Sequence, residues 1–232
     1  MQEDIGTPKI SVIIPAVNEE VIIASVVSGV RESLNAYGET YEVIVIDDGS
    51  SDETAALAHS AGAHIYSHPY NIGNGAAVKS GIRHARGKYL VFMDGDGQHD
   101  PADIPRLLER LDTYDMVVGT RTNDSVATPQ RKIANRLYNR FATYMCKRRI
   151  EDLTSGFRAI KKEIARQFIS LLPNEFSYPT TITMAVIRSG YSLAYVPIKA
   201  NRRIGKSKIK PLRDGARFFM IILKIATLFS PM

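Results

Sequence analysis

The sequence has few cysteines and no long apolar run, and each absence excludes a class of protein. Cys146 is the only cysteine among 232 residues, so an internal disulfide is excluded and a reducing compartment fits. The first nine residues are polar and acidic, unlike a cleavable signal peptide. The most apolar stretch, residues 216–229, is interrupted by Lys224 and falls short of the roughly 20 residues that span a bilayer. A hydrophobic content of 44% still predicts a folded chain with a full-sized core.

Charge is distributed unevenly along the chain. Residues 1–127 contain 9 Lys/Arg and 19 Asp/Glu, whereas residues 128–232 contain 21 and 5. The net charge of +6 therefore conceals an acidic half and a basic half. We interpret the first as holding a cation and the second as meeting anions. A solvated surface of mixed sign, the simpler explanation, would spread the charges more evenly.

Strands and helices are predicted to alternate through the first 120 residues. β-branched runs predict strands at 9–14, 41–46, 88–93 and 115–119, with a short strand around 65–66. The alternation predicts a mostly parallel, Rossmann-like sheet with helices on both faces, which is an α/β fold. Ligands of such sheets bind at the carboxyl ends of the strands.

Acidic side chains directly follow two of these predicted strands. Asp47 and Asp48 follow the second strand, and Asp94 and Asp96 follow the fourth. Neighbouring carboxylates repel each other, so we expect a ligand or cation to offset their charge, whereas a capping turn would need only one of them. Two carboxylates one residue apart, followed by Gln98, predict a site for a divalent metal and a diphosphate.

Other polar and small residues near the strand ends have simpler explanations beside the functional one. We expect Asn18 to cap the first helix and Glu19 to lie in its first turn, where the helix dipole favours it. Gly75 lies at a predicted helix start, where it would let the backbone approach a phosphate, although close helix packing explains it equally well. For His99 we expect a structural role, with metal binding or a sugar contact as alternatives.

The second half of the chain is predicted to be basic and largely helical. A basic amphipathic helix follows Pro129, with one apolar face formed by Ile133, Leu137, Phe141 and Met145. A strand at 193–198 contains proline and is expected at a sheet edge. A cationic loop at 202–213 then precedes the apolar tail. We expect that tail to form an amphipathic, interfacial helix at a membrane surface, and docking on the core is the alternative.

Five motifs resemble those of a known family. They are Ile-Ile-Pro-Ala-Val-Asn-Glu at 13–19, Asp-Asp-Gly-Ser at 47–50, Asn-Ile-Gly-Asn-Gly-Ala at 71–76, Asp-Gly-Asp-Gly-Gln-His at 94–99 and Ser-Gly-Phe-Arg at 155–158. In this order they resemble the inverting family 2 glycosyltransferases, most of all the polyprenyl-phosphate sugar synthases typified by dolichyl-phosphate mannose synthase and undecaprenyl-phosphate glucosyltransferase. The resemblance implies a GT-A domain at 1–215, with a sugar-nucleotide-binding half at 1–127 and an acceptor-binding half at 128–215. Residues 216–232 would form a membrane-proximal helix. Many relatives continue into transmembrane helices beyond this point, so the chain is expected to be truncated before them.

The resemblance also implies roles for individual residues. The nucleotide-sugar pocket would be lined by Pro15, Asn18, Glu19, Asp47, Asp48, Gly75, Asp94, Gly95 and Asp96. Asp94, Asp96 and Gln98 would hold Mg²⁺ or Mn²⁺, with Asp96 as the principal ligand. Phosphate groups would be approached by Arg121, Arg131, Arg158, Arg202, Arg203, Lys206, Ser207 and Lys208. The implied catalytic set is Asp94, Asp96, Arg121 and Arg158, and Asn74 stands where a Lys is common in relatives.

The implied activity is transfer of a sugar from a nucleotide-sugar of the GDP-mannose or UDP-glucose type to a polyprenyl phosphate at the cytoplasmic face of a membrane. A phosphate acceptor is already anionic, so it needs cations for alignment more than a general base. A saccharide hydroxyl acceptor would require a carboxylate base, for which Asp152 is the candidate. A nucleotidyltransferase would carry a glycine-rich Arg and Lys signature in the first loop, which this chain lacks. A nucleic-acid binder would leave the paired carboxylates unexplained, so we expect no nucleic acid partner.

Overall fold

A single seven-stranded sheet runs through the described residues of the computed structural model, which are 6–122, 129–175, 177–201 and 211–228. Within the helices, the side chains of residues 129–134, 211–218 and 226 lie outside this description. The strands are β1 Ile10–Ala16, β2 Tyr41–Asp47, β3 His64–Ser67, β4 Tyr89–Phe92, β5 Met116–Arg121, β6 Arg158–Lys161 and β7 Leu193–Ile198. The helices are α1 Ile23–Tyr37, α2 Thr54–Ser60, α3 Asn74–His84, α4 Ile104–Leu108, α5 Pro129–Cys146, α6 Lys162–Phe168, α7 Tyr178–Arg188 and α8 Pro211–Leu228.

The sheet confirms the predicted mostly parallel topology. Its strand order is β3-β2-β1-β4-β6-β5-β7. Only β6 runs against its neighbours β4 and β5 within the described residues, and the other pairs are parallel. The strand that contains Pro197 lies at the sheet edge, as predicted, because proline cannot donate to a second neighbour. The carboxyl ends of β1, β2, β4 and β5 therefore share one edge of the sheet.

Helices pack against both faces of the sheet, so side chains on both sides of strands such as β1 are buried. This burial explains why the sequences of such strands are continuously apolar. Val12 and Ile14 of β1 belong to the core cluster that includes residues of α1 and α4. Ile13 between them belongs to the cluster formed with α3, α6 and α7. This alternation follows from the two-residue period of a strand and gives three layers of helix, sheet and helix.

A third apolar cluster joins α5, α7 and α8 beside the sheet. Cys146, Met184, Ile222 and Ile225 are buried in it. Helix α8, formed by the apolar tail, is thus docked on the core through Ile222 and Ile225. Docking was the alternative to the interfacial helix that the sequence favoured. No helix in the described part of the chain is long and apolar enough to cross a bilayer. Leu137 departs from the predicted apolar face of α5, since 66% of it is exposed.

Candidate active site

The carboxylates of the Asp94-Gly95-Asp96 segment lie directly beyond the end of β4. Met93 is fully buried and its N–H donates to the Ile13 carbonyl, so β1 holds the chain up to the point where the acidic residues begin. Asp96 is 5% exposed and its Oδ1 accepts a hydrogen bond from the Gln98 N–H at 3.1 Å. Gly97 between them has φ +72°, which glycine adopts without steric cost. The two carboxylates are therefore fixed by a short turn at the ligand-binding edge of the sheet.

Asp94 lies against the backbone of Gly156. A Cβ added to Gly156 would be 2.7 Å from Asp94 Oδ2, so the Asp94 side chain would have to shift to admit it. The register explains the contact, because Phe92 of β4 pairs with Arg158 of β6 and the chain reaches β6 through Gly156. The glycine of the Ser-Gly-Phe-Arg motif thus makes room for a carboxylate of the Asp-Gly-Asp motif.

Arg121 and Asp152 form a bidentate ion pair at the end of β5. Arg121 Nε donates to Asp152 Oδ2 and Nη2 donates to Oδ1, each at 2.8 Å, while Nη2 also reaches Thr154 Oγ1 at 2.7 Å. Burial alone would raise the pKa of Asp152, but the hydrogen bonds and the charge of Arg121 outweigh it and hold that pKa below its ordinary value. Asp152 is therefore a stable anion that orients Arg121.

His99 packs inside the protein beneath these carboxylates. Its ring stacks on Phe157 with 5.0 Å between centroids, and its Nδ1 lies 3.4 Å from the Asp94 backbone N–H. Burial lowers the pKa of His99 to about 4, against an opposing effect of the Asp96 charge. A neutral, stacked imidazole that touches the Asp94 backbone fits the structural role expected from the sequence.

Arg158 is held by bonds within the protein. Its side chain is fully buried, and its guanidinium donates to the carbonyls of Ser155 and Pro179 and to Thr183 Oγ1. These bonds tie the Ser-Gly-Phe-Arg turn to α7, so Arg158 holds that turn in position, and its predicted approach to a phosphate stays a prediction. The sequence shows the arginine but not which way it points, because α7 joins it only in the folded chain.

The second pair of strand-end carboxylates, Asp47 and Asp48, is satisfied by the protein itself. Asp47 Oδ1 accepts from the Ser50 N–H at 3.0 Å. Asp48 accepts from the N–H groups of Ile72 and Gly73 at 3.0 and 2.8 Å and pairs with His68 Nδ1 at 2.7 Å. The protein therefore offsets part of this charge without a ligand, and the predicted place of Asp47 and Asp48 in the nucleotide-sugar pocket stays a prediction.

His68 was missed by the sequence reasoning. It follows β3 directly, so the rule that selects polar residues at strand ends would have found it. Its Nδ1 contacts Asp48 and its Nε2 lies 2.9 Å from Ser80 Oγ of α3. The ring thus joins the end of β2 to α3 beside the loop at 71–73.

Asn18 and Glu19 join two loops and do not begin a helix. Asn18 adopts φ +52°, and its Oδ1 accepts from the Ser51 N–H at 2.9 Å. The Glu19 N–H donates to Thr54 Oγ1 at 2.8 Å. Since α1 begins only at Ile23, the predicted cap is wrong: Asn18 and Glu19 hold the loop after β1 against the loop after β2.

Gly75 is required by packing, the alternative that the sequence left open. A Cβ there would be 2.1 Å from the Pro173 carbonyl oxygen, and the Ala76 N–H donates to the Asn174 carbonyl at 3.0 Å. The loop before α7 therefore lies directly on the start of α3. Pro15 sits near the end of β1 opposite Ile46, and a Cβ on Gly95 would lie 3.3 Å from the Pro15 carbonyl oxygen.

Six predicted phosphate contacts fall on parts of the chain that the structure does not describe. Arg202, Arg203, Lys206, Ser207 and Lys208 lie outside the described residues, and so does the side chain of Arg131. Their predicted roles stay predictions.

The oxygen donors at the end of β4 fit a divalent metal shared with a ligand. Among the described residues, no group of three or more His, Cys, Asp or Glu side chains could hold a metal by itself. Mg²⁺ typically binds one or two carboxylates together with substrate phosphates, and Asp94, Asp96 and Gln98 supply such hard oxygen donors. The donor set therefore fits an ion that a phosphorylated substrate helps to hold.

Comparisons with known proteins agree with this geometry. The chain is 30% identical over 230 residues to glycosyltransferase AglJ of Haloferax volcanii, covering 96% of this chain and 74% of that protein. It is 32% identical over 184 residues to an undecaprenyl-phosphate 4-deoxy-4-formamido-L-arabinose transferase of an Enterobacter species, covering 73% of this chain but only 56% of that protein.

The fold is shared with a solved enzyme structure and the sequence matches a family description. Glucosyl-3-phosphoglycerate synthase of Mycobacterium tuberculosis, in complex with Mn²⁺, UDP and phosphoglyceric acid, superposes with a TM-score of 0.76 at 21% identity, over 94% of this chain and 78% of that one. The likeness shows a GT-A fold. Residues 11–169 match the family described as Glycosyl transferase family 2. The chain therefore belongs to glycosyl transferase family 2 and is a glycosyltransferase.

Proposed function

We propose that this glycosyltransferase moves a hexose from a nucleotide-sugar of the GDP-mannose or UDP-glucose type to a polyprenyl phosphate, with inversion at the anomeric carbon. One relative is named for transfer to undecaprenyl phosphate, and a structural neighbour is described with Mn²⁺ and UDP. The acceptor phosphate oxygen would bond to the anomeric carbon as the bond from that carbon to the nucleoside diphosphate breaks.

The observation that carries the proposed acceptor is the ion pair of Asp152. A hydroxyl acceptor needs a base to take its proton, and Asp152 was the candidate. Its two carboxylate oxygens are both bonded to Arg121, and the arginine lowers its pKa, which weakens it as a base. A phosphate acceptor needs no such base. The arrangement thus favours an acceptor that arrives as an anion and meets the Arg121 cation.

The donor half would use the turn after β4. Asp94, Asp96 and Gln98 would hold Mg²⁺ or Mn²⁺, which supplies positive charge to the leaving diphosphate. The protein itself fixes Asp94 against Gly156 and keeps the loops after β1 and β2 joined. We place the donor in residues 1–127 and the acceptor in residues 128–215, whose elements share one sheet.

We also place the enzyme at the cytoplasmic face of a membrane, where a polyprenyl phosphate would be presented. Residues 128–232 carry the excess of Lys and Arg, and anionic lipids attract such segments. Large apolar side chains remain exposed on α5 and α8, namely Leu137, Tyr144, Phe219, Met220 and Leu228. Their number and their place on adjacent helices support contact with a lipid surface.

The test is a transfer assay with two kinds of acceptor. The wild-type chain is offered radiolabelled nucleotide-sugars with Mg²⁺ or Mn²⁺, and either a polyprenyl phosphate or a saccharide. We expect label in the lipid fraction only. Transfer to the saccharide alone would refute the proposed acceptor.

An Asp152→Asn variant separates the two acceptor chemistries further. If Asp152 only orients Arg121, the acceptor KM rises and kcat retains a substantial part of its value. A fall in kcat of about 10²- to 10⁴-fold at unchanged acceptor KM would instead identify Asp152 as a general base. Arg110→Gln, at an exposed cation that precedes β5, whereas Arg121 ends that strand, serves as the control.

A further inference from the structure

A second concave surface lies at the edge of the sheet opposite the active site. It is a cavity of about 640 Å³, and we call it the basal pocket. Its cationic lining residues are Lys9, Arg86, Lys88, Lys161, Lys162 and Arg166. Lys88 precedes β4 and Lys161 ends the antiparallel strand β6, where it lies opposite Tyr89. Since β4 rises about 3.3 Å per residue, its four residues separate this pocket from the Asp94 turn by roughly 13 Å or more.

The charge of the basal pocket is only partly balanced. Lys9 pairs with Glu39, Arg86 with Glu42 and Lys161 with Asp115. The other three cations, Lys88, Lys162 and Arg166, form no ion pair within the described part of the chain. Glu163 is the single acidic residue among the lining residues. Burial and, to a smaller extent, the charge of Arg166 lower the pKa of Lys162, against an opposing effect of the Glu42 charge.

One rim of the pocket is held in place by a buried carboxylate. Glu42 is 6% exposed and accepts hydrogen bonds from Ser11 Oγ, from the Arg86 N–H and from Arg86 Nε. The following residue, Gly87, donates to Ser11 Oγ at 2.8 Å, and a Cβ there would lie 2.6 Å from the Ser11 nitrogen. Lys162 Nζ donates to the Arg86 carbonyl at 3.2 Å. The cations of this rim are therefore positioned before any ligand arrives.

We propose that the basal pocket binds a small anion that carries a diphosphate group. Its volume falls in the range of small-molecule sites, about 300–1,000 Å³. Guanidinium and ammonium groups on several sides of a concavity match phosphate oxygens, which accept hydrogen bonds from many directions. A positively charged surface that merely aids solubility would need neither the concavity nor the buried Glu42. The site is independent of the proposed transfer reaction.

The test measures the binding of inorganic diphosphate by isothermal titration calorimetry, in a buffer that contains EDTA. Removing divalent cations leaves the acidic Asp94 and Asp96 turn without the ion that would attract diphosphate, so the binding that remains depends on cationic side chains alone. We expect saturable binding of one equivalent. Lys162→Gln combined with Arg166→Gln should weaken it at least about tenfold, since each lost charged contact contributes strongly. Both side chains lie at the surface, so we expect the variant to fold. A thermal unfolding temperature close to that of the wild type would verify this.

Two controls distinguish the basal pocket from other sources of affinity. Arg148→Gln removes an exposed cation that does not line the pocket, and it should bind diphosphate as the wild type does. The second control is the Lys162→Gln and Arg166→Gln variant itself. Equal weakening by Arg148→Gln would reveal general surface charge, and unchanged binding by the double variant would assign the binding to other cations, such as those of the active site. Either result overturns the proposal, as does a single-stranded DNA oligonucleotide that outcompetes diphosphate.

Discussion

At the scale of single residues, the position of Asp94 depends on the missing side chain of Gly156. We expect Gly156→Ala to displace the Asp94 carboxylate, because the new Cβ would lie 2.7 Å from its Oδ2. A displacement of about 1 Å at a catalytic group lowers rates on the order of 10²-fold. The measurement is kcat for sugar transfer, with circular dichroism to confirm the fold. Gly6→Ala is the matched control, since a Cβ at Gly6 meets nothing within 4 Å. Full activity of Gly156→Ala would show that Asp94 tolerates movement.

His68 joins Asp48 to Ser80, and its removal should loosen the side of the site where we propose that the nucleotide binds. We expect His68→Ala to raise the donor KM several-fold while the acceptor KM stays unchanged, because Asp48 loses one of its partners and the loop at 71–73 loses support. His68→Asn keeps a polar group there and should restore part of the affinity. The control is His59→Ala, at an exposed histidine of α2. Equal changes in both KM values would indicate a general loss of stability.

Residues that end strands could be predicted from the sequence, but their partners could not. Asp94 and Asp96 follow a short apolar run, and the structure places them where that pattern indicates. The partner of Asp48 is His68, which is 20 residues away and meets it only through pairing of β2 with β3. Asn18 follows the general preference for a helix cap, yet long-range bonds to the next loop determine its conformation. Local propensity therefore predicted elements well and contacts between loops poorly.

At the scale of elements, the docking of α8 is the least expected feature. Its Ile222 is fully buried beside Cys146, whereas Met220 on the same helix is 63% exposed. The sequence shows an apolar helix with one charge but not which side faces the protein, because that depends on α5 and α7. The helix combines both expectations, since one face packs on the core and the other remains apolar and exposed.

Alkylation of Cys146 measures whether α8 stays docked. Burial raises the pKa of the Cys146 thiol to about 11, so at pH 8 the native thiol is protonated and shielded. We expect Ile222→Ala to accelerate its reaction with iodoacetamide at least tenfold, because truncation of a buried Ile weakens packing by about 2–5 kcal/mol. Met220→Ala should leave the rate unchanged. If both variants react like the wild type, α8 does not protect the thiol.

At the scale of the whole molecule, the acidic and basic halves share a single sheet. Strands β6 and β7 from the basic half complete the sheet that β1 to β5 begin, and β6 lies between β4 and β5. The Asp94 turn of the acidic half therefore meets the Ser155 to Arg158 turn of the basic half by strand pairing. A donor held by the first half and an anionic acceptor attracted by the second would meet at this junction, so the charge asymmetry serves the proposed reaction.

The same asymmetry predicts how the whole molecule meets a membrane. We expect the chain to float with vesicles that contain anionic lipid at low salt, and less with vesicles of phosphatidylcholine alone, because the basic half is attracted to the negative surface. Met220→Asp combined with Leu228→Asp should reduce flotation even at low salt, since these exposed side chains would enter the lipid. Val21→Asp, at an apolar residue that is 80% exposed in the acidic half, is the control and should float like the wild type. If high salt abolishes flotation but the α8 substitutions do not change it, then electrostatic attraction alone explains the binding. That result would contradict insertion of the helix into the lipid.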